Sequence, residues 1–368
     1  MVTAVPGAVR GPVITGWSAV SPYGIGRDAF VEGALSGRAT VSALDAEQWT
    51  GPDELACLVP DFNVREVLGK KGTRSMDRVT GLAVTTVKEL LREETGQDGP
   101  FTADEGAALV LGTTTGSAQS MMSLTRDTFV NEAPFYIDPS QFPNTVMNCA
   151  AGQCAIWYGL KGPNTTVAAG RASGLLALNY ARRLLASGRA QTVLCGAVEE
   201  YSTARSWLEW HTRTADEGAS VLGEGCAVLR VEPAESLPDG AGLAEVISVT
   251  SAVVGQDGIT GSLTECVRRA LARAGLTPDD IWAVSPSAPA GLAGGHERDA
   301  LDDVFSCDTP LRIPAPGPIG DTAAATAVFQ IAALLSHAER DPQPAGRIAL
   351  VTAVDRDGVL ACALLRLL

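Results

Sequence analysis

Residues 162–196 carry the arrangement in this chain that is best suited to nucleophilic chemistry. A short β-branched run, a Gly-Arg-Ala-Ser-Gly turn at 170–174 and an apolar helical pattern predict a strand, a sharp turn and a helix. Small residues around one exposed residue at a helix N-terminus make a nucleophile elbow, where an anionic nucleophile is favoured. The residue at that place is Arg171, which stays protonated and cannot attack a substrate. The segment therefore predicts a nucleophilic site that lacks its nucleophile.

Four carboxylates lie within residues 198–216, a polar stretch rich in Trp, Glu and Arg. Paired carboxylates can perform general acid–base catalysis, but a run of charges usually forms a solvated face. We expect the second arrangement, a surface excursion that also carries a possible contact patch of Trp207 and Trp210. The four residues are Glu199, Glu200, Glu209 and Asp216.

The three histidines offer little for catalysis. His296 stands beside Glu297 and could form a dyad, but we expect it at the surface, where it opens a helix. His211 and His337 have no partner at a useful spacing. The turn at 21–26 lacks the Lys-Ser/Thr ending of a phosphate loop and is interpreted as a tight structural turn.

The bulk properties exclude several classes of protein. The 368 residues, 46% of them hydrophobic, can bury a large core, and a net charge of −14 argues against nucleic acid as a ligand. No uninterrupted apolar run predicts a membrane span, and the first residues do not resemble a signal peptide. The eight cysteines are scattered without a C-x-x-C pair, which favours a reducing compartment, here the cytoplasm. Those predicted to be buried thiols are Cys195, Cys226, Cys307 and Cys362.

Strands and helices alternate along the chain, and their order then repeats. This predicts buried sheets with helices on both faces, and two similar halves over 1–240 and 241–368 packed together, with an Ala-rich central helix at 323–335. The predicted strands are 12–19, 106–112, 165–169, 192–195, 223–232, 245–254, 282–285, 347–354 and 359–367, with a further short one at the start of 311–335. The predicted helices are 27–35, 75–94, 117–131, a helix-like segment from 146, 175–186, 262–274, 298–305 and 323–335, and 45–63 is expected to be irregular.

Three stretches carry a family resemblance that spans essentially the whole chain: PVITGWSAVSPYG, SQFPNTVMNCAAGQCAIWYGLKGP and GEGCAVLRVE. They resemble the thiolase-fold condensing enzymes, and among them the β-ketoacyl synthases. The resemblance implies an α/β, thiolase-like fold of two pseudo-repeated βαβαβαββ halves in a layered αβαβα arrangement, with the elbow and interface insertions in the first half. It also implies a Cys at the elbow that takes an acyl chain as a thioester. Two His in C-terminal loops would bind the malonyl thioester carbonyl and promote decarboxylation.

None of these catalytic groups is present at the matching positions. The Cys position is Arg171, the first His position falls on Pro286 when counted back from Glu297, and the second falls on Asp321. The family's Gly-Phe-Gly-Gly loop is matched by residues 354–358, which lack the Phe and most of the glycines. The elbow and the second His are neighbours in the family, so we predict that Arg171 and Asp321 form an ion pair, because a buried unpaired charge is very costly.

Loss of every catalytic group with retention of the fold resembles the chain length factor, the ketosynthase-like β subunit of type II polyketide synthases. The elbow residue there is commonly Gln, so Arg171 is a departure. The resemblance implies three gates of the polyketide tunnel on one helix face at the dimer interface, Met122, Thr125 and Phe129, at spacing i, i+3, i+7. A Met and aromatic stripe of this kind also occurs in ordinary cores, which is the alternative interpretation.

The sequence therefore predicts a subunit without condensing chemistry of its own that sets polyketide chain length. Its partners would be an active ketosynthase (α) subunit, in an obligate heterodimer, and an acyl carrier protein whose phosphopantetheine arm holds the chain. No cofactor, metal, nucleic acid or membrane is implied. Two alternatives remain open: a thiolase-fold acyltransferase with relocated catalysis, and a scaffold that binds a carrier protein without influencing length. The product can be aromatic or a reduced polyene.

Overall fold

The computed structural model describes residues 11–95, 106–305, 310–314, 317–341, 343 and 345–368. Cys307, one of the predicted buried thiols, lies outside them. The strands are β1 (Val13–Ser21), β2 (Gly24–Ile25), β3 (Ser42–Ala43), β4 (Leu55–Cys57), β5 (Ala107–Thr113), β6 (Asn164–Ala168), β7 (Thr192–Glu199), β8 (Leu222–Gly223), β9 (Gly225–Glu232), β10 (Ala244–Val253), β11 (Ile281–Ser285), β12 (Leu311–Arg312), β13 (Ile348–Val354) and β14 (Val359–Leu367). The α-helices are α1 (Arg27–Ser36), α2 (Val64–Leu68), α3 (Arg78–Thr95), α4 (Ala118–Val130), α5 (Cys149–Tyr158), α6 (Ser173–Ala186), α7 (Thr203–Thr212), α8 (Gly258–Ala274), α9 (Leu292–Val304) and α10 (Thr326–Ala338).

The large sheet consists of two stretches with the same internal order. One runs β1-β9-β7-β5-β6 and the other β10-β14-β13-β11-β12. In each, the first two pairings are antiparallel and the last two parallel. The stretches join where β1 pairs with β10. This repetition supports our proposal that residues 1–240 and 241–368 form the two halves of the molecule.

The apolar residues of the strands alternate between two helical layers. Ala108 and Val110 of β5 face the central cluster, which contains α6 and α10. Leu109 and Leu111 face the opposite way, toward α3 and α5. In the second half, the outer faces of β13 and β14 pack on α8 and α9. Since neighbouring residues of a strand point to opposite faces, helices cover both sides of each stretch, which gives the predicted αβαβα layers of a thiolase-like α/β fold.

The central layer depends on small residues. Twelve of the thirteen residues of α10 are buried, which confirms the predicted central helix. At the N-terminus of α6, a Cβ added to Gly174 would lie 2.8 Å from Cγ2 of Val328. The absence of a side chain at Gly174 therefore lets α6 and α10 approach each other directly, as the chain must where both pack between the sheets.

The predicted surface excursion over 198–216 was wrong for its first part, residues 198–206, whereas Trp207, Trp210 and Asp216 are exposed as expected. The strand β7 continues to Glu199, Tyr201 is fully buried, and α7 follows. The polar composition suggested exposure, but several of these side chains form hydrogen bonds inside the protein rather than with water. Smaller differences also occur: the helix expected from 146 begins at Cys149, the one expected from 298 begins at Leu292, and the region expected to be irregular contains β4.

Two sequence-level expectations concern the environment of the chain. Within the described residues, no helix is both long and apolar enough to cross a membrane. Seven cysteines are described, all with free thiols, and Cys149 is the one among them that is not fully buried. Cys195, Cys226 and Cys362 are buried as predicted.

Candidate functional site

The elbow is built by β6, a single 3-10 turn over Gly170–Ala172 and the start of α6. The hydroxyl of Ser173 accepts from the backbone N–H of Ala169 at 2.9 Å and donates to the carbonyl of Thr113 at 3.1 Å, so it fixes the turn from both sides. Gly170 has φ +52°, and a Cβ there would come within 1.9 Å of a carboxylate oxygen of Asp355. Only glycine fits at this point, because both the backbone conformation and the close approach exclude a side chain.

Arg171 and Asp321 form the predicted ion pair. An Nη2 hydrogen of Arg171 donates to Oδ2 of Asp321, and the two side chains are only 11% and 12% exposed. The expectation that the elbow residue is exposed was therefore wrong, because the guanidinium folds down onto its carboxylate partner. Burial opposes the charge on Arg171, but the attraction of Asp321 and then Asp355 outweighs it and raises the pKa of Arg171.

Asp321 is held in place by more than Arg171. Its other oxygen accepts from the backbone N–H of Ala323 at 3.0 Å, and its carbonyl accepts from Arg205 Nη2 at 2.9 Å. Burial alone would raise the pKa of this carboxyl, but the charges of Arg171 and Arg205 overcome that effect and lower it to about 2. Asp321 therefore stays ionised at neutral pH and serves as a fixed countercharge rather than as a proton carrier.

A second carboxylate accepts the hydrogen bond of the backbone N–H at the elbow. The N–H of Arg171 donates to Oδ2 of Asp355 at 2.7 Å. Backbone N–H groups at an elbow stabilise an oxyanion in enzymes that transfer acyl groups, and that use requires the donor to be free for substrate. Here a negative charge of the protein already fills the position.

The loop that carries Asp355 is tied down on both sides. The next residue, Arg356, forms an ion pair with Glu209 of α7 and donates to the hydroxyl of Thr212 at 3.1 Å. The N–H of Asp357 donates to Asp355 Oδ1 at 3.1 Å. This region matches the gating loop of the resemblance, and its contacts fix it against the elbow and α7.

Pro286 lies on a loop organised by Glu297, which is fully buried rather than at the surface. The carboxylate of Glu297 accepts from the backbone N–H groups of Ser287 and Ala288 at 3.0 and 2.7 Å, and from the hydroxyl of Thr352 at 2.7 Å. Burial raises the pKa of Glu297, against the effect of these donors. The neighbouring His296 is exposed, as expected, and no His–Glu dyad is described.

The three positions that the resemblance matches to catalytic groups of a ketosynthase meet in one cavity. Arg171, Pro286 and Asp321 all line a space of about 510 Å³, together with Ser220 and Thr322. The fold therefore brings the three positions named from the resemblance together in one place. Among these lining residues none is Cys or His, so the cavity contains neither the acyl acceptor nor the imidazoles of a ketosynthase.

Glu199 and Glu200, predicted to lie on a solvated face, are among the most deeply buried side chains. Glu199 Oε2 accepts from the backbone N–H of Thr114 at 3.2 Å, and burial raises its pKa. Glu200 accepts from the N-terminal turns of two helices, and burial followed by the charge of Asp77 raises its pKa to about 8. The prediction failed because carboxylates at the end of a buried strand can be satisfied by backbone donors. Glu209 instead pairs with Arg356, as described above.

Met122, Thr125 and Phe129 lie along the outer side of α4, and all three are exposed in this chain, Phe129 to 83%. The alternative that they form part of the core is therefore wrong. Met122 and Phe129 belong to a larger surface, here called the apolar face, formed by α4, the segment that follows it and α7, against which α4 packs. The apolar face consists of Met121, Met122, Phe129, Val130, Phe135, Tyr136, Phe142, Val146, Met147, Trp207, Leu208 and Trp210.

Sequence reasoning missed two residues that define the site. Arg205 is buried and donates to the carbonyls of Glu200, Gly223 and Asp321, which holds three segments together. Asp355 was noted only as a departure from a glycine-rich loop. Its contact with Arg171 joins residues 184 positions apart. No local sequence pattern predicts such a contact. An acidic residue in a loop that is glycine-rich in the family was nevertheless a usable indication that Asp355 has a binding role.

Comparison with known proteins identifies the class. The family model for the β-ketoacyl synthase N-terminal domain matches residues 12–236. A chain of a solved structure described as "The ishigamide ketosynthase/chain length factor" is 46% identical, with a TM-score of 0.92 over 97% of this chain and 99% of that one. A curated 3-oxoacyl-[acyl-carrier-protein] synthase 2 from Coxiella burnetii is 27% identical over 80% of this chain and 77% of its own length. The chain belongs to the β-ketoacyl synthase family.

A more distant relative shares the fold alone. It is a chain of the solved structure described as "AntDE:AntF (apo): type II PKS acyl-carrier protein in complex with its ketosynthase bound to the hexaketide". That chain is 18% identical, with a TM-score of 0.79 over 98% of this chain and all of that one. Both family membership and this likeness agree with the thiolase-like α/β architecture described above.

Proposed function

We propose that this chain is a chain length factor, a ketosynthase-like subunit that performs no condensation itself and sets the length of a polyketide made with an active ketosynthase partner. The observation that carries the proposal is the Arg171–Asp321 ion pair at the two places where a ketosynthase of this fold needs a thiol and an imidazole. Pro286 in the same cavity and Asp355 on the elbow N–H support it. The elbow is then occupied by charged groups and has no nucleophile, while the rest of the ketosynthase fold can still bind partners.

The apolar face supports the proposed heterodimer. A single soluble chain rarely exposes so many large apolar side chains on neighbouring elements, because their burial against a partner is favoured by roughly 25 cal/mol per Å². The solved relative at 46% identity is described as a ketosynthase/chain length factor, which supports an active ketosynthase as the partner. Met122, Thr125 and Phe129 would then lie where the two chains meet and limit the space for the growing polyketide.

The remaining assignments belong to the same proposal. The growing polyketide is carried on the phosphopantetheine arm of an acyl carrier protein. This protein needs no cofactor of its own. We place the complex in the cytoplasm, supported by the free thiols of the seven described cysteines.

A rival acyltransferase would need a thiol able to ionise. Of the described cysteines, Cys149 is the most accessible, and it lies at the base of α4. Burial, and then the charge of Asp77, raise its pKa, so the thiolate that would attack an acyl group is disfavoured. This argues against Cys149 as the nucleophile of a relocated reaction.

The proposal is tested by co-expressing the chain with its ketosynthase partner and supplying malonyl and starter groups on the carrier protein. We expect one heterodimer by size analysis, polyketide formation only by the complex, and an acyl thioester found by intact-mass analysis on the partner alone. Condensation by the purified chain, or a stable acyl adduct on it, would instead favour the acyltransferase.

Phe135→Asp is expected to prevent heterodimer formation. Phe135 is 74% exposed and lies within the apolar face, so a charge there would have to be desolvated on association without a partner. We expect separate peaks in size-exclusion chromatography and loss of polyketide formation. The matched control is Leu311→Asp, since Leu311 is a large exposed apolar residue outside the face. Equal loss of association in both variants would contradict the assignment of the face.

A further inference from the structure

The helix that carries the three gate residues is attached to the protein mainly at one end. Ala118, in the first turn, is the one buried residue of α4, all of which lies in the described part of the chain. The gate residues further along face away from the core. The hydrogen bonds at its N-terminus therefore help to set the orientation of α4, beside its packing on α7 and on residues 139–145.

The buried side chain of Glu200 binds that N-terminus at two points. Glu200 Oε1 accepts from the hydroxyl of Ser117, the N-cap of α4, at 3.1 Å and from the backbone N–H of Gln119 at 3.4 Å. Its Oε2 accepts from the backbone N–H of Val79, in the first turn of α3, at 3.2 Å. Because α3 packs in the core, Glu200 joins the exposed helix α4 to the core of the protein.

Neighbouring contacts repeat the same link. Asp77 accepts from the Ser120 hydroxyl at 3.0 Å with one oxygen and from the N–H of Thr80 at 3.0 Å with the other, so it also connects α4 to α3. The side chain of Gln119 accepts from the N–H of Ala204 at 3.1 Å, which adds the start of α7. The N-termini of three helices thus converge around Glu200 and supply its hydrogen-bond donors or a neighbouring contact.

We infer that Glu200 is a positioning residue for chain-length selection: it fixes the angle at which α4 presents Met122, Thr125 and Phe129 to the tunnel. This inference rests on the proposed function. Both oxygens of Glu200 face backbone N–H donors, so an amide in its place must direct its own NH2 group at one of them. The result is a displaced helix rather than a lost nucleophile.

Glu200→Gln in the reconstituted complex tests the inference. We expect the heterodimer to form and to remain active, but with a changed or broadened product-length profile. Weakening the hydrogen bonds to α4 by about 1.4 kcal/mol would increase the population of displaced helix about tenfold. Ser117→Ala, which removes one contact to Glu200, is expected to shift the profile in the same direction by less.

The matched control is Glu224→Gln. Glu224 is equally buried and accepts from the N–H groups of Val59 and Tyr201 at 2.8 and 3.1 Å, but none of its described contacts is with α4. We expect it to lower stability without changing product length. Shifts of the same kind in both variants, or no shift in Glu200→Gln and Ser117→Ala, would overturn the inference. Phe129→Ala is assayed beside them: if it alone changes length, the proposed function stands and only the inference fails.

Discussion

Asp321→Ala is expected to lower the free energy of unfolding by about 3–5 kcal/mol, because it leaves the guanidinium of Arg171 buried without its partner. The measurement is denaturant unfolding of the purified complex, or of the chain where it can be isolated. A conservative second variant, Asp321→Asn, retains an acceptor for Arg171 but not the charge, and should lie between wild type and Asp321→Ala.

The matched control is Asp302→Ala, which breaks a pair with Arg312 in which the Asp302 side chain is 46% exposed. Surface pairs contribute about 0–1 kcal/mol, so we expect little change. Similar destabilisation by the two substitutions would contradict the claim that the elbow pair is a buried structural element.

The same pair predicts a direction for acid sensitivity. The pKa of Asp321 is depressed to about 2 in the folded protein, so its stabilising contribution is complete above the unfolded value near 3.8 and is lost as the pH falls toward 2. Asp321→Asn should therefore show a weaker dependence of unfolding free energy on pH between about 4 and 2. An unchanged slope in that variant would contradict the assigned charge state.

Arg171→Cys is expected not to create a condensing enzyme. The new thiol would stand at the elbow next to Asp355, whose carboxylate disfavours a thiolate, and the elbow N–H would still be bound to Asp355. Acylation of the chain by a starter-loaded carrier protein, followed by intact-mass analysis, should remain at background.

Removing the second carboxylate from that variant should have a large effect. Arg171→Cys with Asp355→Gly frees the elbow donor, and one such donor contributes on the order of 10²–10³ in rate. We expect acylation of the double variant to exceed that of Arg171→Cys by about this factor. Arg171→Cys with Asp357→Gly is the control, since Asp357 lies in the same loop but its carboxylate has no described contact with the elbow. Rapid acylation of Arg171→Cys alone would show that Asp355 does not block the site.

Much of the fold followed from local pattern. The buried strands, the Ala-rich α10 and the elbow were predictable because apolar periodicity and small residues at a close approach are physical requirements of those elements. The ion pair was predictable as well, since a charge at a buried elbow needs a partner and the resemblance placed Asp321 beside it.

The sequence did not reveal which carboxylates are buried. Glu199, Glu200 and Glu297 look like ordinary surface residues in the sequence, yet each is bound by backbone N–H donors from another element or loop. Those donors become available only once strands and helix ends have been placed. For the same reason, the contact between Asp355 and the elbow could not be inferred from spacing along the chain.

The central claim, that this chain limits product length through α4 while another chain condenses, is tested most directly by the product profile of the reconstituted complex with Phe129→Ala. Phe129 is bulky and 83% exposed on its own chain, so its truncation enlarges the space between the subunits without removing a core contact. We predict longer polyketides, by whole two-carbon units, at an overall yield similar to wild type. The same products at the same yield would contradict the account and leave a carrier-binding scaffold as the better description.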